Sequence, residues 1–501
     1  MPVRKNVATL SAFEIGALTA AILALKKSKV YDKYVLQHSA SMRTATPWKT
    51  EKPDPFARNV AHGGPAFLPW HREFLRRFEK DLGVPLPYWD WAADQASGSP
   101  KTAKVWSESI MGPNGDPVTE HVLKGKFAHD PANPDSWSTI QDPALPKDPS
   151  IPWLTRNFGV MTMDDGSTMP LDLPMPAAVT SALALTPYDA DPWDHTSSGF
   201  RNTLEGWNGP DGMGLHNRAH MWVGGSMMPS TSPNDPVFWL HHANVDRIWA
   251  NWQRKWPKQG YLPVTGGPTG HNLKDPMLPW GGTTTPESVL DTFALGYWYD
   301  DAPSPVVNVL IPNKGATTGG VSVLITGAGF LGATSVKFGA VNATSFKVLD
   351  DTQITATCPA GNGTVDVIVT SPVGTSPRTP LDLFAYSAAT PTPVPTPHPP
   401  TPTPHPPTPT PTPHGPTPTP TPHPPTPSSG AVAHAGFPFP QLPRHVAPAA
   451  TPQSLSPEAS TLPSGGNAVA IAGVVGIAAV MGMVAAAGIV AVVAIAGKKD
   501  D

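Results

Sequence analysis

The spacing of apolar positions changes along the chain, and each change predicts a different kind of element. Near the start, Ser11 and Glu14 stand as a capping box ahead of the run ALTAAILAL, which predicts a helix N-terminus. Further on, Phe74, Leu75 and Phe78 lie on one helical segment, and Val245, Ile248, Trp249 and Trp252 form a stripe on another; both predict amphipathic helices with a buried side. From Pro303 to about Tyr386 the pattern shifts to short β-rich runs such as VSVLITG, SVKFGAV and TVDVIVTS, separated by Gly, Asn and Pro turns. That alternation predicts a small β-sandwich. Thr-Pro repeats then fill residues 388 to about 428, punctuated by His398, His405, His414 and His423. Proline fixes φ and removes backbone donors, so an extended polyproline spacer without a packed core is expected there. From Ala468 to Gly497 come 30 residues without a charge, followed by Lys498 and Lys499. A run of that length exceeds the roughly 20 residues needed to cross a bilayer and predicts a C-terminal membrane anchor.

Composition divides the chain in the same places. Proline, at 66 of the 501 residues, is well above its usual share of about 5%, and most of the excess falls in the stretch before the apolar tail. The expected organisation is a first domain over 1–302, a β-sandwich over 303–386, a disordered Pro/Thr linker over 387–466 and the anchor over 467–501. The apolar run from Ala17 to Leu25 is short, follows acidic Glu14 and leads into Lys26 and Lys27. It is therefore read as a helix rather than a signal peptide, which would present a small-residue cleavage site. The lysines after the tail favour a cytoplasmic C-terminal end, and the side on which the first domain sits stays open. A net charge of −4, with Lys and Arg scattered, gives no basic field for nucleic acid. Cys358 is the single cysteine, so intrachain disulfides and thiolate metal clusters are excluded, and any metal must be held by nitrogen and oxygen.

The nitrogen donors are arranged for that. In HNRAH, His216 and His220 stand four apart and project from one helical face. Asn217 occupies the place where a zinc protease would carry its glutamate base, so zinc hydrolysis is not expected. Downstream, Asp235 can cap a helix that Pro236 starts, and His241 and His242 are adjacent on it. Neighbouring helical residues point about 100° apart, so one of the two should face a metal; spacing alone does not choose. A second set lies earlier, with His62 on a Gly-rich loop, His71 at the start of a helix, and His38 able to complete it. Three neutral imidazoles per ion, twice over and without carboxylates, suit copper among first-row metals.

The segments HGGPAFLPWHREFLRRFE and PLPYWDW resemble the first copper-site region of tyrosinases, and HNRAHMWVGG with DPVFWLHHANVDRIWANWQ resembles the second. The resemblance covers about residues 1–302 and includes Tyr297-Trp298-Tyr299, similar to the Tyr-x-Tyr motif that closes the family's catalytic domain, with Arg4 as its expected partner. It implies a mainly α catalytic domain with a four-helix-bundle dicopper core and long loops. It also implies that His38, His62 and His71 hold one copper, and His216, His220 and His242 the other, with dioxygen as co-substrate. Phe238 would stack on a ligand imidazole, and Asp235 would orient one by hydrogen bonding. Glu205 and Asn217 would polarise a water that deprotonates an incoming phenol. Fungal-type members tie a ligand histidine to a cysteine two residues before the second ligand; Val60 stands there, so no thioether can form. The run over 303–386 resembles the immunoglobulin-like IPT/TIG module, whose members are spacers or surfaces for protein or glycan contacts.

The expected activity is oxidation of phenols by dioxygen, with hydroxylation of monophenols and oxidation of o-diphenols to o-quinones. Three alternatives accompany it: a catechol or o-aminophenol oxidase without the hydroxylating step, a haemocyanin-like oxygen carrier, and a surface adhesion protein in which the copper domain is accessory.

Overall fold

The structure, a computed structural model, describes residues 3–46, 58–162, 166–207 and 213–388. The Pro/Thr tract and the uncharged C-terminal run lie outside the described residues. Among those described, no helix is long and apolar enough to cross a membrane.

The first domain is helical with long connections. It opens with a two-residue strand β1 (Val3–Arg4), then α1 (Ala12–Lys27), α2 (Val30–Arg43), α3 (Phe67–Leu82) and α4 (Trp91–Ala96). A small hairpin of β2 (Val160–Thr162) and β3 (Thr168–Pro170) follows, then α5 (Pro176–Leu183), α6 (Phe200–Glu205), α7 (Leu215–Val223) and α8 (Val237–Lys255). Ser11 and Glu14 form the expected capping box on α1. α3 ends at Gly83 with φ 73°, a left-handed C-cap that a side chain with a Cβ adopts at a cost. α8 starts at Val237, one residue later than the sequence suggests, and Asp235 accepts the Val237 N–H at 3.0 Å.

Aromatic packing holds the four histidine-bearing helices α2, α3, α7 and α8 around one core. Phe78 on α3 stacks on Trp239 of α8 with centroids 3.5 Å apart. Tyr31 and Tyr34 of α2 meet the same indole edge-on. Phe238, Trp239, Leu240, Val245, Ile248, Trp249 and Trp252 of α8 are all buried, each contributing on the order of 1.5–3 kcal/mol by leaving water. The domain closes on itself: β1 pairs in parallel with β4 (Trp298–Tyr299), and Arg4 donates to the Tyr299 hydroxyl at 3.0 Å. Its guanidinium sits 3.6 Å from the Tyr297 ring centroid.

The second domain has its own apolar core, including Val307, Ile325, Phe338, Ile354, Val367 and Phe384. Its strands are β5 (Val306–Ile311), β6 (Lys314–Ala316), β7 (Ser322–Ala328), β8 (Ser335–Phe338) and β9 (Val341–Asn342). They continue with β10 (Ser345–Asp350), β11 (Gln353–Thr357), β12 (Thr364–Ser371), β13 (Gly374–Thr375) and β14 (Leu383–Ser387). One sheet has the order β10-β11-β7-β5 and the other β6-β14-β12-β8-β9, with β13 beside β12. The alternation in β11, buried at Ile354 and Ala356, places every second side chain in the core.

Candidate metal centre

α2 carries His38, α3 carries His71 in its second turn, and His62 sits on the loop before α3. These three rings come together, with centroids 4.8 to 5.8 Å apart. α7 presents His216 and His220 on one face, 4.6 Å apart. α8 brings His242 to 4.8 Å from His216 and 5.4 Å from His220. The two sets face each other: His71 and His242 stack at 4.3 Å with an 11° interplanar angle. Each set can converge one nitrogen per ring on a single ion.

His241 is the difference from the sequence reading. Its ring stacks on His216 at 5.0 Å and meets His220 edge-on at 4.7 Å, so both members of the adjacent pair reach the second set. A 100° offset separates their Cα–Cβ bonds, but α7 crosses close enough for both imidazoles to find its histidines.

Four of the rings are oriented by backbone carbonyls. The Nδ1 atoms of His38, His71, His216 and His220 lie 2.7 to 3.1 Å from the carbonyl oxygens of Ser230, Phe67, Glu205 and Met227. A carbonyl only accepts, so Nδ1 carries the proton in each ring and Nε2 is left with a lone pair. The Nε2 atoms of His38, His71 and His216 are buried without a hydrogen-bond partner. Those of His220 and His242 face each other at 3.3 Å. Burial holds all seven imidazoles below the usual histidine range, to about 3 for His38 and about 4 for His220. Neutral imidazoles with unpartnered lone pairs turned inward are the donor set a copper ion requires, and orphaned buried nitrogens are costly without a cation. The residues present fit a pair of coppers.

Phe238 lies between the sets, 4.2 Å from His242 and 4.9 Å from His38. Asp235 does not orient an imidazole. Its carboxylate is taken by the buried Arg156, at 2.7 Å on both oxygens, and by the Val237 N–H. The His220 Nδ1 is satisfied instead by the Met227 carbonyl. Asp235 thus fixes the start of α8 rather than a ligand ring.

Glu205 is fully buried at the end of α6. It accepts the Gly63 N–H at 2.6 Å and pairs with Arg201 at 3.0 Å. Burial pushes its carboxyl above the usual range, against the pull of Arg201. Asn217 turns its Oδ1 to His216 Nδ1 at 2.9 Å. Sequence spacing gave no signal for Arg156, whose partner Asp235 lies 79 positions away, or for the carbonyls on the four rings, which belong to the backbone; Arg201, one helical turn before Glu205, had a spacing that could have marked it.

Comparison with known proteins matches two separate stretches of the chain. Residues 28–255 match the family model described as the common central domain of tyrosinase, and 305–386 match that of the IPT/TIG domain. Over 296 residues the chain is 42% identical to a tyrosinase of Streptomyces glaucescens, covering 58% of this chain and 96% of that one. It is 40% identical to a tyrosinase of Streptomyces antibioticus, again over 58% of this chain, and 97% of that one. It is 38% identical to grixazone synthase of Streptomyces griseus, over 60% of this chain and 99% of that one. With near-complete coverage of such relatives and both histidine sets in place, the chain belongs to the tyrosinase family.

Proposed function

We propose that this protein is a tyrosinase in the full sense, hydroxylating monophenols as well as oxidising o-diphenols to o-quinones with dioxygen. Copper-dependent phenol oxidation is what membership of the family and the paired histidine sets give. The finer reading rests on the residues beside the second set. His38, His62 and His71 would hold one copper, and His216, His220 and His242 the other. When bound, the copper pair supplies activation of dioxygen and accepts the electrons of the phenol.

The chain's own part is positioning and proton handling. Four imidazoles are pre-oriented by carbonyls, so little is lost in arranging them. His242 is favoured over His241 because its Nε2 faces that of His220 and its ring stacks on His71 of the other set. Phe238 packs against one ring of each set, 4.9 Å from His38 and 4.2 Å from His242, and helps hold their directions. Glu205 is a stronger proton acceptor than an ordinary carboxylate because burial disfavours its charge, and Asn217 sits on the same imidazole, His216. Together they support deprotonation of an incoming phenol through a water between them.

The observation that carries the reading is the fully buried Glu205, its carboxyl raised above the usual range by burial, with Asn217 on the neighbouring His216. The test is oxygen uptake by the copper-loaded chain, offered tyrosine and then a catechol, with copper measured on the same sample. Uptake with both at two coppers per chain is expected; uptake with catechol alone would remove the hydroxylating step and the roles of Glu205 and Asn217.

The uncharged run ahead of Lys498 and Lys499 supports a membrane anchor for the enzyme, and the IPT/TIG module supports a protein-contact surface. Membrane pelleting of the full chain, lost on removing residues 467–501, tests the anchor.

A further inference from the structure

His62 is held differently from its neighbours. The rings of His38 and His71 in the same set each rest on a carbonyl, whereas the Nδ1 of His62 is buried without a partner. Its direction is therefore set by the backbone of its loop, and Val60 removes any covalent tether there. What fixes that backbone becomes the question.

Asn59 Oδ1 accepts the N–H groups of Ala61 and His62, at 3.0 and 2.7 Å, which shapes the turn locally. At the far end of the loop stands His271, some two hundred positions away in the chain and fully buried. Its Nδ1 accepts the Ala66 N–H at 3.0 Å, the residue on which α3 begins. That makes Nε2 the protonated nitrogen, and it lies 3.2 Å from Thr46 Oγ1, just beyond α2. Arg58 ties Thr46 down again by two hydrogen bonds of 3.2 Å, to its hydroxyl and its carbonyl. The ring also packs closely against the loop: a Cβ on Gly64 would come within 2.9 Å of His271 Cε1. The Tyr261 hydroxyl holds the His271 carbonyl at 2.7 Å. His271 thus bridges the chain leaving α2, which carries His38, to the chain entering α3, which carries His71, with His62 between them.

We propose that His271 is a positioning residue for the first copper, holding the Gly-rich loop so that the unanchored imidazole of His62 faces its two partners. The inference rests on the dicopper reading, and its test separates the two. The full-length copper-loaded chain is dialysed against a chelator, and residual copper per chain and its Cu(II) electron paramagnetic resonance spectrum are followed over time. Wild type is compared with His271→Ala, His271→Asn, Thr46→Val and a His62→Ala reference.

His271→Ala is expected to lose one copper about ten to a hundred times faster than wild type, leaving a spectrum that matches the His62→Ala chain. His271→Asn keeps an oxygen that can accept the Ala66 N–H and should hold copper nearly as wild type does. Thr46→Val removes only the distant hydroxyl and should show the same selective loss to a smaller degree, which keeps the inference testable if His271→Ala fails to fold. Loss of both coppers at one rate, or release at the wild-type rate from His271→Ala or, should that chain not fold, from Thr46→Val, would overturn it. Fewer than two coppers in the wild-type chain would instead overturn the paired centre itself.

Discussion

At the residue scale, the adjacent pair on α8 is the sharpest case. His241 and His242 are both buried and both reach the second set, but only His242 also stacks on the first. His242→Ala should therefore remove one copper and the oxidase activity, while His241→Ala should keep two coppers; elemental analysis and oxygen uptake check both, and equal loss would make His241 a ligand. Glu205 separates the two reactions. Glu205→Gln keeps the shape that receives the Gly63 N–H but loses the acceptor of a proton. Turnover of a monophenol should fall by about 10²-fold or more, with a much smaller change for a catechol, whose oxidation needs no hydroxylation. Parallel falls in both would place Glu205 in the scaffold alone.

At the scale of elements, one carboxylate on α8 joins four parts of the domain. Asp246 pairs with Arg72 of α3 and Arg4 of β1 and accepts the hydroxyls of Tyr297 and Tyr299, each at 2.6 Å. Burial would raise its pKa, but the two guanidinium groups outweigh that and hold it below the usual range. Asp246→Ala would strip the buried Arg72 of its carboxylate and leave Arg4 with Glu79 alone. Removing one partner of such a group costs about 3–5 kcal/mol, so the urea midpoint of the domain's unfolding should drop accordingly, and a loss below about 1 kcal/mol would mean that water replaces the carboxylate. Arg4 was legible as a partner of the closing Tyr-x-Tyr motif through the resemblance to tyrosinases; Asp246 and Arg72 were not, because nothing in a helical sequence marks which charged residue turns inward.

At the scale of the whole molecule, the histidines set a pH dependence. In the folded copper-free chain they are neutral, with His38 and His271 held near pKa 3 and His220 near 4 by burial. In the unfolded chain the same groups titrate near 6.5. Below that value the unfolded state binds more protons, so stability falls as pH falls, by up to about 1.4 kcal/mol per pH unit for each such group. The copper-free chain should have a lower urea midpoint at pH 5 than at pH 7.5. A midpoint independent of pH would mean that the imidazoles are charged in the fold. The separate apolar cores of the two domains lead to one more expectation: a chain ending at residue 302 should retain catechol oxidation, and its loss would make the β-sandwich part of the catalytic unit.

The sequence by itself determined the chemistry. Long motifs with His216 and His220 four apart, a Gly-rich loop before His71, and no usable thiolates leave few metals and few reactions, because ligand type and helical spacing are local properties. Alternating runs after Pro303 likewise marked a sandwich, since a strand's two faces are written in consecutive residues. Only the tertiary structure decided that His241 also enters the cluster, that Asp235 serves Arg156 rather than an imidazole, and that His271 stands behind the loop of His62. Each of these depends on how closely two distant backbones approach, and that distance is fixed by the packing of helices, which no single stretch of sequence records.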